Sequence, residues 1–164
     1  ETKSLVHKWR HEEDAILVGR KTIETDNPKL TCRAYQGKSP ARIVIDQNLK
    51  LDYGAYDVGD RTIQTYIFTK KKIISEGKLQ FIQLDDFSVS SILAALYELQ
   101  IQSVIIEGGA ATLGHFIAAN IWDEARVLSG ISDFSAGKKA PTISGKIYIS
   151  QFVGKDQLTI YTNA

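Results

Sequence analysis

Residues Ser103 to Phe116 read SVIIEGGAATLGHF, and this stretch decides the fold. A short apolar run is followed by a pair of glycines and then by apolar residues at helical spacing. Strands that end in glycine just before a helix are typical of α/β proteins. We therefore predict a strand over Ser103 to Ile106 and a helix from about Ala110 to Asn120.

The same alternation of apolar runs and helical patterns extends outward in both directions. It predicts helices that start near Ser4, Lys21 and Ser88 or Ser90, and strands at Ala15–Gly19, Ala41–Asp46, Thr62–Thr69, Leu79–Leu84, Ala125–Leu128, Lys146–Phe152 and Gln157–Tyr161. Strands that alternate with helices form a mainly parallel sheet covered on both faces. The expected fold is a three-layer α/β/α domain with an antiparallel C-terminal hairpin at the edge of its sheet.

Composition excludes several classes of function. With 164 residues the chain fits one domain, and a net charge of +1 gives no reason to expect nucleic acid or an anionic membrane as a partner. No apolar run approaches the ~18 residues of a membrane span. The single cysteine, Cys32, excludes an intrachain disulfide and is expected to pack as a small buried residue in a cytoplasmic protein. The chain contains no methionine, so we expect it to be a fragment of a longer chain.

The glycine pair suggests an anion site. Unpaired N–H groups and the helix dipole at a helix start favour a phosphate, and Gly108 and Gly109 let it approach the main chain closely. Thr112 adds a hydroxyl, and Gly114 would let a second backbone come near. The pattern is not GxGxxG, and a plain tight turn between strand and helix explains it equally simply. Glu107 would hold a substrate hydroxyl or ammonium group, or would only complement the dipole.

A second group of polar residues lies in Gly19–Arg33, GRKTIETDNPKLTCR. Thr22 and Asp26 are four residues apart and share a face if this segment is helical. Asp26 also suits a turn before Asn27-Pro28. Arg33, together with the earlier Arg10, offers guanidinium donors for a phosphate, or is an ordinary surface arginine.

The histidines do not form a convincing metal site. His7 and His11 are four apart on a predicted helix, but no third ligand accompanies them, so an exposed helix face is the better interpretation. His11 and Glu13 match half of a zinc deaminase motif whose cysteine half is missing. We therefore expect no metal.

Taken together, these segments resemble the reductase domain of the bifunctional enzymes of riboflavin biosynthesis. The shared motifs run in order along the chain: H-x-x-R at His7 and Arg10, A-I-x-V-G at Ala15–Gly19, Thr22, D-x-P-x-L-T-x-R at Asp26–Arg33, P-x-R-I-V-I-D at Pro40–Asp46, E-G-G-x-x-T-L at Glu107–Leu113, W-D-E at Trp122–Glu124, and Ala140-Pro141. Each motif alone is weak, whereas the ordered set is specific.

The resemblance implies a fold like that of dihydrofolate reductase, with NADPH along the carboxyl edge of the sheet. By position it assigns the cofactor to Thr22, Asp26, Gln47 (where the family often has serine), Gly109, Ala110, Ala111, Thr112, Leu113 and Gly114. It assigns a phosphorylated small-molecule substrate to Arg10, Leu30, Arg33 and Glu107, with the arginines near the phosphate. Glu107 is the one catalytic candidate.

The implied reaction is reduction of 5-amino-6-(5-phospho-D-ribosylamino)uracil to its ribitylamino product. The family's first strand, with K-x-A-x-S-x-D-G, and its zinc deaminase domain are not present in residues 1–164 and are expected in the full-length chain. Family members are often homodimers. Two other functions stay open: a dihydrofolate-reductase-like enzyme for a pterin or another pyrimidine, and a non-catalytic nucleotide-binding homologue.

Overall fold

A computed structural model of the chain describes residues 1–132, 137 and 139–163. Over these residues the chain forms four α-helices and eight β-strands. They are α1 Thr2–Glu12, β1 Ala15–Gly19, α2 Arg20–Asp26, β2 Ala41–Ile45, β3 Thr65–Thr69, β4 Leu79–Gln83, α3 Val89–Glu98, β5 Val104–Ile106, α4 Ala110–Ala118, β6 Glu124–Ser129, β7 Lys146–Val153 and β8 Asp156–Thr162.

Five parallel strands form the main sheet in the order β4-β3-β2-β1-β5. Side chains on a strand alternate between the two faces, and both faces of β1 are buried. Ile16 and Val18 pack with Ile23 of α2 on one face. Leu17 packs on the other face in a cluster that includes Phe116 of α4 and apolar residues of α3. The predicted three-layer arrangement is confirmed.

The last three strands form a separate antiparallel sheet in the order β6-β8-β7. The predicted C-terminal hairpin, β7 with β8, is confirmed. Its predicted position at the edge of the parallel sheet is wrong, because within the described residues no ladder joins the two sheets. They meet through side chains instead: Ile105 of β5 packs against the cluster of Trp9, Leu158 and Ile160.

The predicted elements lie within a few residues of the observed ones, and α1 differs most clearly. The helix begins at Thr2 with Glu1 as its N-cap, two residues before the predicted start near Ser4, so Ser4 does not cap it. Ser4 is exposed within the first turn, and Thr2 Oγ1 donates to Asp156 Oδ2 at 2.6 Å. This contact fixes the start of α1 against β8. At α3 the N-cap is Ser88, one of the two predicted serines.

A buried arginine lies in the middle of the parallel sheet. Arg42 of β2 has no exposed surface, and its Nη1 donates to Asp60 Oδ1 at 2.8 Å. The same nitrogen lies 3.4 Å from the carbonyl oxygens of Asp57 and Val58. Because a buried charge is costly unless paired, this guanidinium ties the turn at residues 57–60 to the sheet.

Candidate active site

The carboxyl ends of β1, β2 and β5 open onto a cavity of about 420 Å³. The first turn of α2, the first turn of α4 and the end of β2 supply its polar wall. Phe87, Ile92 and Phe116 supply an apolar wall. Ligands of open α/β sheets bind at this edge, so the cavity lies where the fold itself predicts a site.

Two glycines, Gly19 and Gly108, let β1 approach the start of α4 closely beside the cavity. A Cβ on Gly19 would lie 2.6 Å from Thr112 Oγ1, and one on Gly108 would lie 3.0 Å from the backbone nitrogen of Gly19. Gly109 is the N-cap of α4, and no side chain caps that helix. The N–H groups of Ala110 and Ala111 therefore have no side-chain cap, which suits a phosphate or diphosphate, whereas the Thr112 N–H donates to the Gly109 carbonyl oxygen.

Thr22 connects the two helix starts. Its Oγ1 accepts a hydrogen bond from Gly109 N at 3.1 Å. Both residues line the cavity, and Asp26 lines it one turn further along α2. The prediction that Thr22 and Asp26 share a helical face at the site is confirmed as geometry.

Seven of the nine residues predicted to bind cofactor line this cavity: Thr22, Asp26, Gln47, Gly109, Ala110, Ala111 and Thr112. Leu113 and Gly114 are not among the lining residues. The predicted close backbone approach at Gly114 is wrong, because a Cβ there would meet no atom within 4 Å. The helix turns these two positions away from the edge of the sheet.

The four residues predicted to bind substrate lie outside the cavity lining, and two of them form an ion pair. Arg10 Nε donates to Glu107 Oε1 at 2.8 Å, and Nη2 donates to Oε2 at 2.5 Å. Arg10 Nη1 also lies 3.3 Å from the carbonyl oxygen of Thr31. Most donors of this guanidinium are thus engaged within the protein, and the Glu107 carboxylate is held in a bidentate contact.

Leu30 and Arg33 lie on either side of Thr31 in the segment between α2 and β2. Leu30 is buried in the core, with a positive φ of 52°. Arg33 is exposed, and its Nη1 lies 3.4 Å from Thr31 Oγ1. Arg10 contacts the carbonyl oxygen of Thr31, and Leu30 and Arg33 lie one and two residues from Thr31 in the sequence. Three of the predicted substrate residues are therefore close to Thr31.

His7 does not lie on an exposed helix face, as the sequence had indicated. It is 3% exposed, and its Nδ1 accepts a hydrogen bond from Arg33 N at 3.0 Å. Burial and the positive charges of Arg10 and Arg33 lower its pKa. His11, one turn on, accepts from Lys38 N at 3.0 Å. The two histidines therefore hold the segment between α2 and β2 against α1.

Sequence reasoning missed a recess of mixed charge next to the cavity, where Arg20 Nε lies 4.0 Å from Asp46 Oδ1. Arg20, the residue directly after Gly19, lines both the cavity and a neighbouring recess of about 220 Å³. Lys50 and Asn48 line only the recess, and Gln47 lines both. Position was the available signal, since the first residue after a strand end in this kind of sheet commonly faces a ligand.

The described part of the chain contains neither a cluster of metal ligands nor a helix that could span a membrane. In residues 1–132, 137 and 139–163 no three His, Cys, Asp or Glu residues are placed to hold a metal ion. Among the helices of the same residues, none has both the length and the apolar character needed to cross a membrane.

Comparisons with known proteins agree with this geometry. The chain is 34% identical over 127 residues to the riboflavin biosynthesis protein RibD of Bacillus amyloliquefaciens, a match that covers 71% of the chain and 34% of RibD. It is 30% identical over 154 residues to the 2,5-diamino-6-ribosylamino-4(3H)-pyrimidinone 5′-phosphate reductase of Aquifex aeolicus, covering 88% of the chain and 68% of that enzyme. The chain thus spans about a third of the length of the RibD proteins it matches.

A solved structure with the same fold is that of a diaminohydroxyphosphoribosylaminopyrimidine deaminase/5-amino-6-(5-phosphoribosylamino)uracil reductase from Thermotoga maritima. It has a TM-score of 0.82 and 27% identity, and the match covers 96% of this chain and 47% of that one. The family model described as RibD C-terminal domain matches residues 1–146. A match of that extent, on a chain whose strand ends and glycines form the cavity described above, shows that this protein belongs to the RibD C-terminal domain family.

Proposed function

We propose that this chain reduces 5-amino-6-(5-phospho-D-ribosylamino)uracil to 5-amino-6-(5-phospho-D-ribitylamino)uracil with NADPH, a step of riboflavin biosynthesis. The observation that carries the proposal is the junction of Gly108, Gly109 and Thr22 at the carboxyl edge of the sheet. The names of the relatives support the reaction, and the geometry supports a dinucleotide at this edge.

The cavity fits the diphosphate of such a cofactor. A side chain at Gly108 would collide with β1, and the Gly109 N–H is fixed in place by Thr22. Ala110 and Ala111 would hold the diphosphate through their main-chain N–H groups, and Thr112 would hold it through its hydroxyl, since the Thr112 N–H donates to the Gly109 carbonyl. Phe87, Ile92 and Phe116 provide apolar surface that excludes water from one side of the cavity.

NADPH supplies a hydride when bound, and this chain's residues orient the substrate to receive it. The bound cofactor would supply the hydride for C1 of the opened ribose imine, and the proton already on the cationic imine nitrogen would remain there as the N–H of the secondary amine. Glu107 lies at the end of β5, directly before the glycine pair. Its negative charge would stabilise the cationic imine as it is reduced.

The substrate phosphate belongs, in this proposal, near Arg33. That side chain is exposed, whereas Arg10 is engaged with Glu107 and Thr31. Arg10 then acts on the substrate indirectly, because it orients the Glu107 carboxylate. Leu30 shapes the segment that carries Thr31 and Arg33. The two-domain relative from Thermotoga maritima supports, as part of the proposal, a deaminase domain in the full-length chain that supplies the uracil substrate.

The test is NADPH oxidation by the purified intact protein with three substrates. The uracil compound is the first, and the diaminopyrimidinone named for the Aquifex aeolicus relative is the second. Dihydrofolate is the third. Oxidation with either ribosylamino compound is expected, with the ribitylamino product identified by mass. Robust dihydrofolate reduction without these activities would favour a pterin reductase, and nucleotide binding without any turnover would favour a non-catalytic homologue.

The role of Glu107 has its own test. Glu107→Gln should keep substrate affinity within a few-fold while it lowers the turnover number. Normal turnover in a variant that binds substrate normally would show that the carboxylate charge does not act on the reaction.

A further inference from the structure

The segment between α2 and β2, which carries Thr31 and Arg33, contains no helix or strand. Within the described residues, no backbone N–H of residues 28–40 donates to a backbone carbonyl oxygen. Such a segment has no helical turn or strand ladder to fix its course, so its path depends on side chains that accept its N–H groups. The contacts of this segment with α1 therefore determine where the Arg33 side chain starts.

Two histidines of α1 supply acceptors to the segment. Arg33 N donates to His7 Nδ1 at 3.0 Å. Lys38 N donates to His11 Nδ1 at the same distance, 3.0 Å. The Cys32 thiol donates to the His7 carbonyl oxygen at 3.1 Å. His7 therefore contacts two consecutive residues of the segment, one through its side chain and one through its backbone.

The bond between His7 and Arg33 N–H depends on the protonation state of the imidazole. A neutral imidazole has one nitrogen that accepts and one that donates, whereas a protonated imidazole has two donors. His7 must therefore be neutral, with its proton on Nε2, to accept the Arg33 N–H. The imidazole is 3% exposed, so this bond is shielded from solvent and a protonated ring would hold two N–H groups against each other.

The surroundings of His7 favour the neutral form. Burial and the positive charges of Arg10 and Arg33 lower its pKa, and Lys3 of α1 acts in the same direction. Glu107, at the end of β5, is held by Arg10 in a bidentate contact. At neutral pH the imidazole is therefore uncharged and able to accept.

Arg33 extends its guanidinium into solvent from this anchored backbone. The side chain is exposed, and its Nη1 lies 3.4 Å from Thr31 Oγ1. Arg10, in contrast, has its donors engaged with Glu107 and Thr31. A long exposed side chain loses rotamer entropy when it binds a ligand, so a fixed backbone reduces the part that must still be ordered.

We propose that His7 is a positioning residue for substrate binding: by accepting the Arg33 N–H, it fixes the backbone from which the Arg33 guanidinium binds the substrate phosphate. The inference rests on the proposed function, which assigns that phosphate to Arg33. His7 is buried and acts through the segment, without touching the substrate. Loss of its acceptor should therefore change the affinity for phosphorylated compounds and leave the turnover number nearly the same.

Two variants of His7 separate the acceptor from the bulk of the side chain. Asn carries an oxygen as many bonds from Cα as Nδ1 is, and Leu has the same branched shape without an acceptor. Calorimetric titration of the intact protein with ribose 5-phosphate at neutral pH measures the effect. We expect His7→Leu to weaken binding roughly fivefold or more, because the Arg33 N–H loses its partner, and His7→Asn to stay within about twofold of the wild type.

Steady-state kinetics of the same variants gives a readout that a general loss of structure would not produce. His7→Leu should raise KM for the phosphorylated substrate by a similar factor and keep kcat within about twofold. With a dephosphorylated analogue its KM should match that of the wild type. A fall in kcat with both compounds at an unchanged KM would overturn the proposal.

His11→Leu is the matched control, because it removes an equivalent bond between the same helix and the same segment, at Lys38. It should keep the affinity for ribose 5-phosphate within about twofold of the wild type. Equal weakening by His11→Leu and His7→Leu would show that the segment loosens as a whole, and would overturn a specific role for His7.

The pH dependence of binding decides the matter if His7→Leu does not fold. Ribose 5-phosphate itself takes up a proton near about pH 6, so its affinity falls in every variant as the pH drops. In the wild type, protonation of His7 adds to this fall, whereas His7→Asn has no imidazole to protonate. Between about pH 6.5 and pH 5 the wild type should lose roughly threefold or more affinity beyond the loss in His7→Asn. Equal losses in the two proteins would overturn the proposal.

Failure of this inference can be distinguished from failure of the proposed function. If Arg33→Gln weakens ribose 5-phosphate binding and His7→Leu does not, the role of His7 is wrong and the function stands. If the wild type reduces the ribosylamino substrate but Arg33→Gln keeps its affinity for ribose 5-phosphate, the phosphate binds elsewhere and the role of His7 is wrong with it. A wild type that neither binds ribose 5-phosphate nor reduces the ribosylamino substrate overturns both.

Discussion

Arg10 and Glu107, which lie 97 positions apart in the chain, form a bidentate ion pair at the carboxyl edge of the parallel sheet. Their side chains are 13% and 23% exposed. The pair connects α1 to the end of β5, directly before the glycine pair. Its partly buried position makes it stronger than a surface pair, because solvent screens it less.

The pair predicts different roles for Arg10 and Arg33. Arg33→Gln should lower kcat/KM roughly tenfold or more with the phosphorylated substrate and have little effect with a dephosphorylated analogue, because it loses a charge-assisted contact to phosphate. Arg10→Gln should lower kcat/KM by a similar factor with both compounds, because it loosens Glu107. Steady-state kinetics of both variants with both compounds is the measurement. If Arg10→Gln lowers kcat/KM only with the phosphorylated substrate, Arg10 instead binds the substrate phosphate.

Two glycine-to-alanine changes should have opposite effects on stability. Gly108→Ala places a Cβ 3.0 Å from Gly19 N and 3.1 Å from Val18 Cα, and should cost about 1–3 kcal/mol through overpacking. Gly114→Ala lies within α4, where a Cβ meets nothing within 4 Å, and should add about 0.5–1 kcal/mol. Urea unfolding of the two variants and the wild type measures both. Equal effects would mean that the β1–α4 approach is looser than described.

The sequence predicted the elements whose signals are local. β1, with four consecutive buried apolar residues followed by glycine, was recognisable from AILVG alone. The location of the cavity was predictable too, because strand ends in a parallel sheet converge and the glycines mark a close approach. Thr22 and Gly109 were both assigned to it, although the hydrogen bond between them was not foreseen.

Contacts between distant parts of the chain were not predictable in this way. Nothing near Arg10 indicates that Glu107 will occupy its donors, and nothing near His7 shows that the backbone of Arg33 will cover it. In the sequence, Arg42 is one polar residue within an apolar strand, and its partner Asp60 lies 18 positions further along the chain. In each case a polar side chain is satisfied by a partner that only the tertiary fold brings close.

The Arg42–Asp60 pair predicts an acid-sensitive contribution to stability. The hydrogen bond from Arg42 lowers the pKa of the Asp60 carboxyl from 3.8 to about 2. A lowered folded-state pKa gives stability that is present above about pH 4 and is lost as the pH falls toward about 2. Asp60→Asn should therefore destabilise the protein by roughly 2–4 kcal/mol at neutral pH, since it leaves a buried guanidinium without its countercharge.

The measurement for Asp60 is the free energy of unfolding at several pH values. The difference in unfolding free energy between the wild type and Asp60→Asn should become smaller as the pH falls below about 4. Asp52→Asn removes an exposed carboxylate that accepts a hydrogen bond from Gly54 N, and the Asn side-chain oxygen can still accept it, so this control should have a much smaller effect. A gap that does not change with pH would show that the carboxyl is not held by Arg42.

His7 predicts a pH effect in a different range. Because burial lowers its pKa, the unfolded state binds a proton more readily, so stability should fall as the pH drops below about 6.5. His7→Gln offers an oxygen acceptor to Arg33 N–H and cannot be protonated, so the loss between about pH 6.5 and pH 5 should shrink. Unfolding free energies of the two proteins over this range provide the test. His11→Gln retains His7 and should lose as much stability over this pH range as the wild type. If His7→Gln also loses as much stability as the wild type, the effect belongs to other titratable groups.

The division into two sheets has a consequence for local opening. The antiparallel strands β6, β7 and β8 share no ladder with the parallel sheet in the described residues, and only side chains such as Ile105 and Trp9 connect the two. Amide hydrogens of β8 are therefore able to exchange with solvent deuterium through a local opening that leaves the hydrogen bonds of β1 intact. The edge of the parallel sheet that carries the cavity would keep its protection while the C-terminal strands exchange, because Gly19 and Gly108 lie outside the antiparallel sheet.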